Sequence, residues 1–167
     1  MKVESIVCPV TMDLDVYGKI SNELFNLAQK SLRNDLCEIG SNSLNSRLLL
    51  GQAISINCKP EYKLGNFKTL IFVALWDYQS EYSFNLFYKA YINSLRQAFQ
   101  HNIRSIALPI MAYEGNLNLC GQAILKSVHD LDGLKHSAEF SIEEIYFVSK
   151  NRRHINFMEK EVSPKLY

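Results

Sequence analysis

The sequence has no excess of either charge and no long apolar run. Its 18 Lys and Arg residues against 17 Asp and Glu residues give a formal net charge of +1, so no overall field attracts nucleic acid or an acidic membrane. No stretch approaches the ~20 apolar residues that cross a bilayer, and the amino terminus lacks the apolar run of a signal peptide. We therefore expect a cytoplasmic or nuclear protein, or one secreted without such a signal, with neither a membrane nor a nucleic acid as its partner.

Cysteine is scarce and scattered along the chain. The four cysteines are Cys8, Cys37, Cys58 and Cys120. They show no CxxC spacing, the histidines show no HxxxH spacing, and two of the cysteines lie inside apolar runs, where a free thiol behaves as a small hydrophobe. This pattern predicts a reduced protein without a zinc site. We expect no metal and no other cofactor.

Internal repeats, low-complexity tracts and linkers are also absent. The composition is 47% hydrophobic and 21% charged, which is ordinary for a globular protein. A chain of 167 residues has the length of one domain with a substantial core. The sequence therefore predicts a single domain over residues 1–167.

Apolar periodicity predicts strands that alternate with helices. Strands are predicted at residues 3–8, 52–58, 69–76, 103–109 and 143–149, and helices from residue 20, at 83–100, at 119–131 and at 152–160. Because proline is excluded from a central ladder, the first strand is predicted to end near Cys8, before Pro9. Residues 34–46 are polar, contain Gly40, and are predicted to form a loop. Repeated strand–helix–strand units predict an α/β fold with parallel pairing and helices on both faces of the sheet.

Two loops lie where an open α/β sheet binds its ligands, outside the carboxyl ends of the strands. The first comprises residues 9–19 and the second residues 110–118. Each leads into a helix amino terminus, which favours an anion such as phosphate. Glycine in each loop permits close approach of the backbone to a ligand. The alternative is that both loops are ordinary strand–helix connections.

Other residue groups admit both a functional and a structural interpretation. Asp13, Asp15 and Glu114 could form a carboxylate group across the two loops, suited to acid–base catalysis, or could simply be solvated. Cys8 at a strand end could be a nucleophile, but no histidine is near it in sequence, so a buried structural thiol is favoured. The basic cluster is interpreted as the solvated first turn of the last helix. This cluster consists of Lys150, Arg152, Arg153 and His154.

Aromatic residues are dense around the start of the longest predicted helix. They are Trp76, Tyr78, Tyr82 and Tyr88. Aromatic side chains at this density suit contact with a protein partner, including a second copy of the chain, or stacking on a base. The near-zero net charge argues against nucleic acid, so a protein contact or homodimer is the favoured interpretation.

Several of these segments resemble the macro-domain family in order and spacing. The stretch Ile103–Pro109 is similar to the family pattern G-I/V-x-S-I-A-F/L-P, and Glu4–Thr11 is similar to D-A-I-V-N-A-A-N. Residues 14–20 match the position of the family's glycine-rich loop. The resemblance covers nearly the whole chain, and Ser105–Pro109 is its most specific part. It implies a three-layer α/β/α sandwich around a mixed, mostly parallel sheet.

The resemblance implies binding of ADP-ribose, and some members of the family hydrolyse ADP-ribose from proteins. Carried over, the predicted ligand-binding residues are Cys8, Thr11, Gly18, Ile20, Pro109, Ala112, Gly115 and Asn116. Cys8 and Thr11 replace two ribose-binding asparagines, Ser21 replaces the aspartate that assists hydrolysis, and the strand bearing an adenine-binding aspartate is absent. We expect binding of ADP-ribose or a related nucleotide that is weak or altered in specificity. The alternatives are an interaction domain without a ligand and a hydrolase that uses Asp13, Asp15 or Glu114.

Overall fold

The computed structural model describes residues 3–42, 47–76, 81–112, 114–133 and 141–166, without the side chains of Gln29 and Glu114. Within these ranges the strands are β1 Ser5–Thr11, β2 Ala53–Asn57, β3 Thr69–Trp76, β4 Ser105–Pro109 and β5 Glu144–Val148. They form one sheet in the order β2-β3-β1-β4-β5. β1 is parallel to β3 and β4, β4 is parallel to β5, and β2 is antiparallel to β3. The sheet is therefore mixed and mostly parallel, which confirms the predicted fold class.

The helices cover both faces of this sheet. They are α1 Gly18–Asn42, α2 Phe84–Gln100, α3 Leu117–Asp132 and α4 Arg152–Phe157, with a π-helical turn Met158–Val162 and 3₁₀ turns Pro60–Tyr62, Glu114–Asn116 and Ser163–Lys165. α1 packs on one face, where Phe25 contacts Phe72. The other face carries α2, α3 and the terminal turns, so the structure has three layers. No helix in the described ranges is long and apolar enough to cross a membrane.

β3 is the most completely buried strand. From Thr69 to Leu75 no residue is more than a few per cent exposed. Alternate side chains enter the two cores, with Ile71 facing α2 and Phe72 facing α1. The run Thr69–Trp76 was predicted with these bounds because it is apolar on both faces, as expected of an interior strand.

Two sequence predictions about the first third of the chain were wrong. β1 does not end at Cys8 but continues through Pro9 to Thr11. Its pairing with β4 involves only Ser5 and Ile6, whereas Pro9 faces Val73 of β3. The missing N–H of proline therefore falls beyond the part of β1 that is paired on both sides, where it removes little from the ladder.

The loop predicted at residues 34–46 is largely helix. α1 runs to Asn42, and residues 43–46 lie outside the described part of the chain. Leu32 and Leu36 are buried in the core under α1, and Ile39 packs against it. The apolar stripe therefore continues through the polar segment, and its burial outweighs the low helix propensity of Gly40.

Glu4 joins three strands at the end of the sheet opposite the carboxyl ends. Its carboxylate accepts hydrogen bonds from Lys68 Nζ and from the Arg104 N–H, the latter at 2.8 Å. The hydrogen bond from Lys68, followed by that from the Arg104 backbone, lowers the pKa of Glu4 below its usual value. A lowered carboxyl pKa adds stability that is present above the unfolded-state pKa and is lost as pH falls through the folded-state pKa.

We expect Glu4→Gln to reduce the free energy of unfolding by about 1 kcal/mol at pH 7 and by less at pH 3. Urea unfolding at both pH values measures the difference. Glu143→Gln is the control, because Glu143 is an exposed carboxylate whose ion pair with Arg104 is long, at 3.8 Å. Equal losses for Glu4→Gln at pH 7 and pH 3 would contradict the assignment.

Candidate functional site

A cleft of about 280 Å³ opens at the carboxyl ends of β1, β3, β4 and β5. One wall is the amino end of α1, and the others are the loops that follow β4 and β5. The lining residues are Pro9, Tyr17–Ile20, Leu75, Pro109–Ala112, Val148–Asn151 and His154. The cleft thus lies at the edge of the sheet that the position rule for open α/β sheets selects.

Ser21 shapes the first wall. Its hydroxyl accepts a hydrogen bond from the Tyr17 N–H at 2.7 Å and donates one to the Gly18 carbonyl at 3.2 Å. Gly18 has φ +81°, a conformation that favours glycine. Ser21 is fully buried and stands where the resemblance places a catalytic aspartate. Its side chain is used to hold the turn into α1.

Tyr91 shapes the second wall from beneath. Its hydroxyl accepts from the Met111 N–H at 2.9 Å, donates to the Pro109 carbonyl at 3.0 Å, and lies 3.2 Å from Cys120 Sγ. Complete burial raises the pKa of Tyr91 well above its usual value, so the phenol remains neutral. The Ile110 N–H donates to the Val148 carbonyl at 3.0 Å. The amides of Ile110 and Met111 are therefore both used inside the protein.

The third wall is the loop after β5. Ser149 Oγ accepts from the Asn151 N–H at 3.1 Å and lies 3.3 Å from Nδ1 of the buried His154. Asn151 caps α4 by accepting the Arg153 N–H at 3.0 Å. These bonds fix the loop against α4. Lys150, between them, forms an ion pair with Glu23 of α1.

Aromatic side chains support the α1 wall. Tyr17 stacks on Trp76 with ring centroids 6.0 Å apart, and its hydroxyl is hydrogen-bonded to that of Tyr82. Tyr82 in turn stacks on Phe87 at 5.7 Å. Of the aromatic group singled out in the sequence, Trp76 and Tyr82 therefore adjoin the cleft. Tyr88 instead donates to Asp130 at 2.6 Å, and Tyr78 lies outside the described residues.

The side chains that line the cleft are cationic or neutral. Among the described lining residues, Lys19, Lys150 and His154 carry basic groups, and none is an aspartate or glutamate. The rest of the described lining is largely apolar, as is usual for a ligand pocket. No group of three or more His, Cys, Asp or Glu residues able to hold a metal ion occurs in the described ranges.

Two of the three candidate carboxylates, Asp13 and Asp15, are not among the described lining residues of this cleft. Asp13 pairs with Arg47 at 2.8 Å and Asp15 with Arg33 at 3.4 Å. Both aspartates line a separate hollow, mostly against the carboxyl-terminal half of α1. The backbone of Glu114 begins the 3₁₀ turn before α3, but its side chain is outside the described atoms. Asp13 and Asp15 therefore lie together outside the cleft, and the predicted group that includes Glu114 stays a prediction.

The predicted ligand-binding residues divide into two sets. Gly18, Ile20, Pro109 and Ala112 line the cleft together. The others, Cys8, Thr11, Gly115 and Asn116, are not among its described lining residues.

Each of the four residues outside the cleft has another position. Cys8 is fully buried under α1, and burial raises the pKa of its thiol far above the usual value, which fits a structural thiol. Thr11 Oγ1 accepts from the Asp15 N–H at 3.1 Å and so holds the turn after β1. Gly115 and Asn116 lie in the 3₁₀ turn before α3. None of these positions presents a side-chain group to the cleft.

Sequence reasoning missed the wall formed by the loop after β5. Lys150 and His154 were interpreted as part of a solvated helical turn, yet both line the cleft. Arg152 and Arg153, from the same cluster, are exposed. The rule that selected the loops after β1 and β4 applies equally to the carboxyl end of β5. Applied to β5, that rule predicts that the loop containing Lys150 borders the ligand site.

No protein-family model matches the sequence, and no curated protein matches it. Solved structures do match. A macrodomain variant from Oceanobacillus iheyensis superposes with a TM-score of 0.76 at 16% identity, covering 97% of this chain and 81% of that one. The macro domain of ganglioside induced differentiation associated protein 2 gives 0.73 at 18% identity, covering 94% and 75%.

The chain has the macrodomain fold. The resemblance based on Ser105–Pro109 is therefore confirmed for the architecture. A third macrodomain, from Trypanosoma brucei and solved in complex with ADP-ribose, gives a TM-score of 0.75 at 14% identity. The match covers 95% of this chain and 62% of that one, so this chain spans less than two thirds of its length. At these identities the likeness to macrodomains shows the fold alone.

Proposed function

We propose that this chain is a macrodomain-like module that binds ADP-ribose or a related nucleotide derivative in the cleft. The observation that carries the proposal is the cleft itself. It lies at the carboxyl ends of β1, β3, β4 and β5, between the amino end of α1 and the loops that follow β4 and β5. The macrodomain fold supports it, since a protein of this fold is solved with ADP-ribose. The basic side chains of the lining suit a phosphate-bearing ligand.

The altered residues predict weak binding. The two positions that the resemblance assigns to ribose-binding asparagines are Cys8 and Thr11, and neither lines the cleft. The cleft volume of about 280 Å³ is just below the ~300–1,000 Å³ typical of ligand pockets. A nucleotide ligand would therefore extend beyond the cleft and lack part of its polar contacts. We propose binding rather than hydrolysis, because two of the three candidate acids, Asp13 and Asp15, pair with Arg47 and Arg33 outside the cleft.

Calorimetric titration with ADP-ribose is expected to give saturable heat at micromolar to millimolar ligand. Ile20→Trp, which places a large ring in the cleft, is expected to weaken binding at least tenfold, since it removes space without adding a partner. Leu27→Trp is the matched control, because Leu27 is on the same helix and 62% exposed but does not line the cleft. It should bind like the unaltered protein.

Trp76 provides a second measurement on the unaltered protein. It is the single tryptophan, and it stacks on Tyr17 of the cleft wall, so its fluorescence reports on this site. We expect ADP-ribose to change the emission with the same midpoint as the heat. Absence of both signals at millimolar ADP-ribose would contradict the proposed function.

A further inference from the structure

One ion pair joins two walls of the cleft. Lys150 lies in the loop after β5 and lines the cleft, and its ammonium group contacts the carboxylate of Glu23 on α1. The pair connects elements far apart in sequence at the edge of the cleft. Both side chains are about half exposed, at 49% and 55%. Glu23 therefore holds a cation that otherwise belongs to the lining of the proposed ligand site.

A second lysine of the cleft lining lies on the same helix as Glu23. Lys19 lines the cleft and precedes Glu23 by one helical turn of α1, a spacing that places both on one side of a helix. Lys19 and Lys150 thus bring basic groups to the cleft from two different walls, and Glu23 contacts Lys150.

Two backbone N–H groups of the loop after β4 are already hydrogen-bonded within the protein. The N–H groups of Ile110 and Met111 donate to Val148 and Tyr91 inside the protein. They do not point at a ligand in the cleft. Lys19 and Lys150 therefore supply the ammonium groups that a phosphate bound here would meet on the opposite walls.

We infer that Lys150 and Lys19 form a phosphate subsite and that Glu23 is its built-in competitor. The subsite takes the diphosphate of a nucleotide ligand, so the inference rests on the proposed function for the identity of that ligand. On binding, the phosphate replaces the Glu23 carboxylate beside Lys150, and the link between α1 and the loop after β5 opens. No covalent bond is made or broken.

The exchange is favoured by charge. An exposed Lys–Glu pair contributes little because the two charges are screened and both side chains lose freedom. A diphosphate carries at least twice the charge of a carboxylate, and its interaction with an ammonium group increases in proportion. Removing the Glu23 charge should therefore increase affinity, whereas removing the Lys150 charge should decrease it.

The test is calorimetric titration of the unaltered protein, Glu23→Gln and Lys150→Gln with three probes, ADP-ribose, inorganic pyrophosphate and adenosine. We expect Glu23→Gln to bind ADP-ribose and pyrophosphate about 3-fold more tightly, the size of effect that an exposed pair allows. Lys150→Gln should bind both more weakly, by about 5-fold or more. Adenosine, which has no phosphate, should not distinguish the variants.

Glu161→Gln is the matched control, because Glu161 pairs with Lys165 at 3.9 Å, is similarly exposed, and does not belong to the cleft. It should bind all three probes as the unaltered protein does. Thermal unfolding should be nearly the same for all variants, since each removes one exposed charge. A loss of fold would appear there and not as a selective effect on phosphate.

The outcomes separate this inference from the proposed function. If the unaltered protein binds ADP-ribose and neither variant differs from it in affinity, the competition between Glu23 and phosphate is disproved and the proposed ADP-ribose binding stands. If no variant binds ADP-ribose but Glu23→Gln binds pyrophosphate more tightly, and Lys150→Gln more weakly, than the unaltered protein, the subsite stands and the function fails. Weaker binding by Glu23→Gln, or no binding of either anion by any variant, overturns the inference.

Discussion

Replacing Gly51 with alanine is expected to lower the free energy of unfolding by about 2–4 kcal/mol. Gly51 is buried at φ +80°, and a Cβ placed on it would lie 2.7 Å from Lys89 Cβ and 3.5 Å from the Ala90 nitrogen. Its N–H donates to the Ala74 carbonyl at 2.7 Å. The residue therefore ties β3 to α2 in a space with no room for a side chain, and the substitution adds steric overlap to backbone strain.

Gly65→Ala separates the two contributions. Gly65 also has a positive φ, +72°, but a Cβ there would meet nothing within 4 Å. It should cost only the backbone strain, about 1–2 kcal/mol. Urea unfolding followed by circular dichroism gives both values. Equal losses of unfolding free energy in the two alanine variants would show that the close approach of α2 to Gly51 adds no steric cost.

Removing the hydroxyl of Tyr91 is expected to lower the free energy of unfolding by about 2–4 kcal/mol, because two buried backbone groups lose their partner. The Tyr91→Phe variant keeps the ring in the core but leaves the Met111 N–H and the Pro109 carbonyl unsatisfied. Since these groups begin the second wall of the cleft, ADP-ribose should also bind more weakly. Urea unfolding and calorimetric titration measure the two effects.

Tyr88→Phe is the control for this change. Tyr88 is on the same helix, and its hydroxyl donates to the carboxylate of Asp130 at a half-buried position. Water can replace that bond, so we expect a loss of under about 1 kcal/mol and unchanged ligand binding. Equal effects of the two substitutions would show that the Tyr91 hydroxyl does not hold the loop.

The elements that could be predicted from sequence are those whose pattern is complete within one segment. The run Thr69–Trp76 is apolar throughout, and the helix after Ser83 repeats its apolar residues every three or four positions. The end of α1 and the continuation of β1 through Pro9 could not be predicted in this way. The first depends on a core that buries Leu36, and the second on which neighbouring strands reach Pro9.

The candidate site was predictable only in part for a similar reason. The ends of β1 and β4 follow from the order of elements, and Gly18 and Pro109 lie in the cleft as that order implies. Lys150 also lies in the cleft, as the carboxyl end of β5 implies, but its contact with Glu23 of α1 joins distant segments and could not be predicted from local spacing. Asp13 and Asp15 turn away because Leu14, at φ +61°, is buried between them and reverses the chain.

The central place of β1 in the sheet constrains the order in which the protein folds. Ser5 pairs with Thr69 on one side and with Ile106 on the other, so β1 has both of its neighbours only after more than half of the chain is available. Pairings between distant segments slow folding, because loop closure must precede any gain from contact. During synthesis, α1 would therefore form early as a helix without a sheet to cover. The cleft would be completed last, when β5 pairs with β4 and the segment that follows it, from Ser149 to His154, adds the third wall.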